Sequence, residues 1–186
     1  MDAYRAKAGG NWPFDAPLSW TTNYGNTTTI SSSSVVTATT DANNNGVGYF
    51  SGSLPAESCY LDVTLDSGYS DSPTSVAFMG VSNVVSQFNY GAEANYKAWY
   101  WSGSWWGNGT NYVTPPTSLV ADTYRIAVNR SNGRLYIKRS GNATVASANL
   151  PSGSTLYLMV LPQNSYRTPG ATIVNGRVYS GSGGLY

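Results

Sequence analysis

Between Cys59 and Asp66 the chain alternates without a break: Cys59, Leu61, Val63 and Leu65 point one way, and Tyr60, Asp62, Thr64 and Asp66 the other. A two-residue period separates the two sets onto opposite faces of an extended segment, which makes this a half-buried β-strand. Tyr124-Arg125-Ile126-Ala127-Val128 repeats the pattern, with Tyr124, Ile126 and Val128 toward a core. Val76–Val81 is compact enough to be buried on both faces, Leu156–Leu161 is an apolar central strand, and Ala171–Val178 supplies a last one. No window has a 3.6-residue apolar period, and there is no heptad. Strands of this kind bury their apolar faces in pairs of layers, so the expected fold is all-β: a two-sheet antiparallel β-sandwich of jelly-roll type.

Asn132-Gly133 is the strongest hairpin signal in the chain. A two-residue turn there sets Ser131 opposite Arg134, Val128 opposite Ile137 and Asn129 opposite Tyr136, so that apolar meets apolar on one face. In that register Arg125 and Lys138 project from the outer face.

The chain has 186 residues, enough for one domain with a sizeable core. Charged residues make up only 10%, against roughly 25% in an ordinary soluble protein. Ser, Thr, Asn, Gly and 15 tyrosines stand in their place, which gives a β-protein an uncharged polar surface. Net charge is +1, so no global field favours nucleic acid or an anionic membrane. There is no histidine, which removes the usual general base of hydrolases and the commonest metal ligand. The single cysteine, Cys59, excludes an internal disulfide and reads as a small core residue. No apolar run approaches the ~20 residues of a spanning helix. Asp2, Arg5 and Lys7 ahead of Gly9-Gly10 leave the start of the chain without a signal-peptide core.

Four of the six tryptophans fall within residues 99–106, as Trp99-Tyr100-Trp101-Ser102-Gly103-Ser104-Trp105-Trp106. The Ser-Gly-Ser break between two aromatic groups reads as a tight reversal of a hairpin. Flat rings lose little side-chain entropy on contact and stack well on sugar rings, bases or a partner protein. The same rings also suit the core of a sandwich, and since a strand face shows alternate residues, one alternate set is expected inside. The Ser102-Gly103-Ser104 end is the expected contact surface. A second feature is basic: Arg125, Arg130, Arg134, Lys138 and Arg139 supply five of the ten cations within fifteen positions. They are read either as a seat for an anionic group or as solubilising outer-face charge. The candidate ligand-binding set is therefore Trp99, Tyr100, Trp101, Trp105, Trp106, Arg125 and Lys138, with no catalytic residue, metal or cofactor.

The nine carboxylates are scattered. Retaining glycosidases need two carboxyls about 5–5.5 Å apart and inverting ones about 6.5–9.5 Å. Asp62 and Asp66 share a strand face but stand about 13 Å apart, too far for either. Asp41-x-Asn43-x-Asn45-Gly46 matches half of a calcium loop, but Gly52 stands where the bidentate acid belongs, so it reads as an Asn/Gly turn. Asp66 and Asp71 flank a loop that reads as a solvated turn.

The order of these elements resembles a known family. Tyr60-Leu61-Asp62-Val63-Thr64-Leu65, Val76-Ala77-Phe78-Met79-Gly80-Val81, Ala121-Asp122-Thr123-Tyr124-Arg125-Ile126-Ala127-Val128 and Asn132-Gly133-Arg134-Leu135-Tyr136-Ile137-Lys138-Arg139-Ser140-Gly141 follow one another as the motifs of SPRY domains do. Over roughly residues 47–178 the chain resembles the SPRY family and the wider concanavalin A-like lectin sandwiches. The resemblance implies a non-catalytic binding module that uses loops at one end of a sandwich. In composition alone the chain is similar to the receptor-binding heads of bacteriophage tail fibres, which implies a virion or other extracellular surface. The domain expectation is an irregular arm over 1–20, the sandwich over 21–179 and a flexible Ser/Gly tail over 180–186. The function expected is recognition of a glycan or protein surface, without nucleic acid or membrane. The alternatives are a glycan-cleaving enzyme on the same sandwich, or a homo-oligomeric structural virion protein that buries its tryptophans between subunits.

Overall fold

The structure, a computed structural model, describes residues 16–17, 20–24, 28–32, 35–38, 48–65, 76–85, 93–100, 102–120, 122–162 and 171–186, with side chains from 51 onward in most of these. The Asn/Gly turn at 41–46, the loop at 66–73 and Trp101 lie outside them. Fifteen strands occur among the described residues: β1 (Ala16–Pro17), β2 (Trp20–Tyr24), β3 (Thr28–Ser32), β4 (Val35–Ala38), β5 (Gly48–Ser53), β6 (Cys59–Leu65), β7 (Val76–Ser82), β8 (Tyr96–Tyr100), β9 (Ser104–Gly107), β10 (Asn111–Val113), β11 (Asp122–Asn129), β12 (Arg134–Arg139), β13 (Ala146–Asn149), β14 (Tyr157–Pro162) and β15 (Ala171–Ser180). One 3₁₀ turn, Glu93–Asn95, leads into β8.

The strands form two antiparallel sheets. The larger runs β10-β13-β12-β11-β6-β15-β4-β3 with β1 also paired to β15, and the smaller runs β2-β5-β14-β7-β8-β9. Alternation does the sorting in the larger sheet. Cys59, Leu61, Val63 and Leu65 of β6 are buried, and their neighbours Tyr60, Asp62 and Thr64 are half-exposed on the outer face. Tyr124, Ile126 and Val128 continue the buried row on β11, Leu135 and Ile137 on β12, and Ala146 and Ala148 on β13. The smaller sheet answers with Met79, Val81, Trp99, Trp105, Leu158 and Val160. From Met79 to Ser82 every residue is buried whichever face it takes, as expected of a central strand.

The β11–β12 hairpin differs in register from the two-residue turn. Asn129 pairs with Arg134 and Val128 with Leu135, so the loop is four residues, Arg130–Gly133. The shift is by two positions and therefore keeps every side chain on its expected face. The cause is the Asn129 side chain. Its Oδ1 accepts from the Ser131 N–H at 3.0 Å, the Ser131 hydroxyl at 2.7 Å and the Asn132 N–H at 3.2 Å, closing an Asx turn one step before Asn132-Gly133. Gly133 then takes the left-handed conformation, φ 66°, that returns the chain to β12.

Ala16 and Pro17, within the segment read as an arm, pair with Val178 and Arg177 of β15. At the other end the Ser/Gly composition of 180–186 predicted a flexible tail. Instead Leu185 is buried against Ala127 and Tyr136, and Tyr186 stacks on Tyr136 with ring centroids 5.0 Å apart. Two large apolar side chains outweigh the loop composition around them.

Cys59 is fully buried at the start of β6. Burial pushes its thiol up to about 12, against a smaller downward pull from the Arg130 guanidinium. Since the thiolate is the nucleophile, we expect a thiol reagent at pH 8 to label Cys59 only at the rate of unfolding. Labelling of the native protein within minutes, in a sample shown to be folded, would contradict the packing at β6.

Candidate functional site

The Trp99–Trp106 stretch is a hairpin, β8–β9, closed by a bond from the Gly103 N–H to the Tyr100 carbonyl at 2.9 Å. Trp99 sits opposite Trp105, and Ala98 opposite Trp106. The pleat therefore sends the rings to two different places.

Trp99 and Trp105 point into the core and leave the candidate ligand-binding set. Trp99 is 0% exposed, donates its indole N–H to the Thr117 carbonyl at 3.1 Å, and meets Tyr124 of the facing sheet edge-on at 5.6 Å. Trp105 donates to the Val113 carbonyl at 2.8 Å. A ring enclosed in this way offers no face to a ligand. Tyr100 and Trp106 occupy the opposite, outer face of the smaller sheet. Their centroids are 5.3 Å apart with planes tilted at 51°, and they rest with Val85 and Tyr157 on the buried base of Tyr96, Ala98 and Met159. The Ser102-Gly103-Ser104 turn closes against the 117–118 loop, since a Cβ at Gly103 would stand 2.9 Å from the Thr117 carbonyl.

Beneath the hairpin lies Lys97, 1% exposed on a strand position that faces inward. Its ammonium donates to the carbonyls of Gly107 and Gly109, both at 3.1 Å. A buried ammonium is tolerated when its donors are satisfied, and here it fixes the loop that follows β9.

Arg125 and Lys138 are on the outer face of the other, larger sheet, where β11 and β12 place them directly opposite each other. The sequence-level set is thus split between the two outer faces, and one ligand ring cannot reach both groups. The five clustered cations also part company. Arg130 binds two loops through the carbonyls of Ser154 and Pro55, at 3.0 and 2.8 Å. Arg134 lies 3.9 Å over the Tyr112 ring at the β10 edge. Arg125, Lys138 and Arg139 stay together and line a groove of about 300 Å³ with Asp62, Ser140 and the tail.

Sequence reading had Arg139 in the basic cluster but missed Asp62 and the tail as members of this groove, and Tyr157 and Val85 as members of the aromatic face. Pairing of β6 with β11 sets Asp62 opposite Arg125, a contact 63 residues apart in the chain that no local pattern announces. Of the acids, Asp62 is paired with Arg125 and Asp122 with Arg139, each with a nitrogen–oxygen distance of 2.7 Å. Burial alone would raise the Asp122 carboxyl, but the hydrogen bonds from Arg139 and the Thr123 N–H outweigh it and hold it below its ordinary value. Among the described residues no three His, Cys, Asp or Glu side chains converge on a point.

No protein-family model and no curated protein sequence matches the chain. Solved structures do. The SPRY domain of human HERC1 superposes with a TM-score of 0.64 at 14% identity, over 81% of this chain and 92% of that one. The carbohydrate recognition domain of Emp46p, in its metal-free form, gives 0.58 at 11% identity, over 88% of each chain. The metal-free lectin I-B4 of Griffonia simplicifolia gives 0.53 at 9% identity, over 86% of this chain and 92% of that one. At such identities the likeness speaks for architecture, and it joins the two sheets, their antiparallel order and the strand sequence already described. The chain has the β-sandwich fold shared by SPRY domains and concanavalin A-like lectins.

Proposed function

We propose that the chain is a non-enzymatic binding module that engages a glycan or protein surface through the outer face of its smaller sheet. The observation that carries this reading is the tilted pair Tyr100–Trp106, half-buried on a firm base of Tyr96, Ala98 and Met159. Rings held by their own packing present area to a ligand at little entropic cost. Two of the similar structures are named as a carbohydrate recognition domain and a lectin, and a third as a SPRY domain, which favours binding over turnover. The ion pairs that occupy Asp62 and Asp122 speak the same way, because a carboxylate already bonded to an arginine is a poor acid or base for glycoside cleavage. The low charge and the Ser/Thr/Asn/Tyr-rich surface support a place on a phage-like or other surface-exposed assembly.

A glycan array tests the reading. Ligands retained by the wild type are expected to bind at least about tenfold more weakly to Tyr100→Ala and Trp106→Ala, in line with the weight aromatic anchors carry in binding sites. A glycan held equally well by the double variant would remove this face from the site. An array on which nothing is retained would leave a protein surface as the ligand.

A further inference from the structure

The groove on the larger sheet is a built feature, and it does not depend on the aromatic face. Its floor is the outer row Asp62–Arg125–Lys138, set side by side by the pairing of β6, β11 and β12. Its wall is the chain end. Gly183 crosses so close to the floor that a Cβ there would stand 2.7 Å from the Tyr60 ring and 2.8 Å from the Arg125 stem. Leu185, buried on Ala127 and Tyr136, holds that crossing in place.

The charges within it do not cancel. Arg125 is committed: Nε and Nη2 donate to the two Asp62 oxygens at 2.7 and 2.8 Å, and Nη1 to the Gly183 carbonyl at 3.0 Å. Arg139 gives its Nε to Asp122 at 2.7 Å, and its terminal N–H groups have no hydrogen-bond partner among the described residues. Lys138 has no ion pair or hydrogen bond among the described residues. Among the described side chains of the groove, Arg125 and Arg139 are each paired with a carboxylate and Lys138 is not, so one positive charge is left over there.

We propose that this groove binds an acidic sugar residue, with the sugar carboxylate against Lys138 and the free N–H groups of Arg139. A sugar carboxylate offers two oxygens, one for the Lys138 ammonium and one for the Arg139 N–H groups, as charge-assisted hydrogen bonds. The rest of the lining is neutral and suited to hydroxyls: the Ser140 side chain and the exposed backbone around Gly141 and Gly183. A volume of about 300 Å³ is at the small end of ligand sites and suits a single pyranose ring. Lys138 is a surface residue, so binding is screened by salt.

Amide-resolved NMR titration of the full chain with a methyl hexuronide and a methyl sialoside tests the assignment. Methyl glucoside, acetate and inorganic phosphate serve as comparison ligands. At least one acidic sugar is expected to shift the amides around Lys138, Ser140 and Gly183, and to bind at least about tenfold more tightly than the glucoside and the simple anions. Affinity should fall about tenfold in Lys138→Gln, persist in Lys138→Arg, and weaken as salt rises from about 0.05 to 0.5 M. Tyr100→Ala and Trp106→Ala should leave these values unchanged, so this result and the one for the aromatic face stand or fall separately. Equal binding of the glucoside would overturn the role of the carboxylate. Equal binding of acetate or phosphate would reduce the groove to a simple anion site and overturn the sugar. Absence of shifts with both acidic sugars, in a protein whose spectrum is folded, would overturn the proposal altogether.

Discussion

Trp99→Ala should destabilise the protein by about 3–5 kcal/mol, the range for removing a large aromatic ring from a packed core. Trp99 is where the two sheets meet. Its ring projects from β8 of the smaller sheet and is completely buried against Tyr124 of β11 in the larger one, edge to face at 5.6 Å. Two costs add to the cavity. The Thr117 carbonyl loses the indole N–H that satisfies it, and a buried acceptor without a donor costs about 1–3 kcal/mol. Tyr124, whose hydroxyl is bonded on both sides to Val120, cannot swing over to fill the space. For a domain of this size each kcal/mol lowers the melting temperature by about 2–4 °C, so a loss of about 6–20 °C is expected. Trp106→Ala, on the half-exposed outer face, should cost well under half as much. Thermal melts of the two variants side by side measure this. Equal losses, or a larger loss for Trp106, would contradict the assignment of the two faces.

That comparison also shows where sequence reading reached its limit. Alternation along a single strand is local, so β6 and β11 were legible residue by residue, and the two-residue rule foresaw that one alternate set of the tryptophans would be core. Which set it is depends on which side of β8 the other sheet lies, and that is decided by pairing between strands far apart in sequence. The same holds for the groove. Arg125 and Lys138 were placed on one outer face by the β11–β12 hairpin, and they remain there although the turn is two residues longer than expected. Asp62 joined them through β6, and Gly183–Leu185 through a tail whose Ser/Gly composition masks one well-buried leucine. The hairpin register itself failed on a side chain. The Asn132-Gly133 signal is a backbone preference, and the Asn129 carboxamide outbid it by closing an earlier turn.

The second large effect is expected at Gly80, which stands in the Gly-Val pair of the SPRY-like strand order. Gly80 is buried on β7 opposite Ala98 of β8 and Met159 of β14, with a neighbouring strand on each side. Its backbone conformation is one that any residue adopts, so the constraint is space alone. A Cβ on Gly80 would overlap the Lys97 carbonyl oxygen, stand 2.5 Å from the Ala98 Cα and 2.9 Å from its Cβ. Two of those three atoms are main chain, and rotation of a side chain cannot move them. Gly80→Ala must therefore push β8 away from β7, and with it the Trp99–Trp105 pair that β8 carries into the core. Overpacking usually costs about 1–3 kcal/mol, and this case should lie at or above the top of that range because backbone has to yield. Denaturant unfolding of Gly80→Ala measures the loss, and a value below about 1 kcal/mol would mean that the strands separate freely. A second substitution separates the causes. Ala98→Gly in the Gly80→Ala background removes the 2.9 Å contact and leaves the main-chain ones, so it should recover a minor part of the loss. Full recovery would place the conflict in the Ala98 methyl group rather than in the approach of the two backbones.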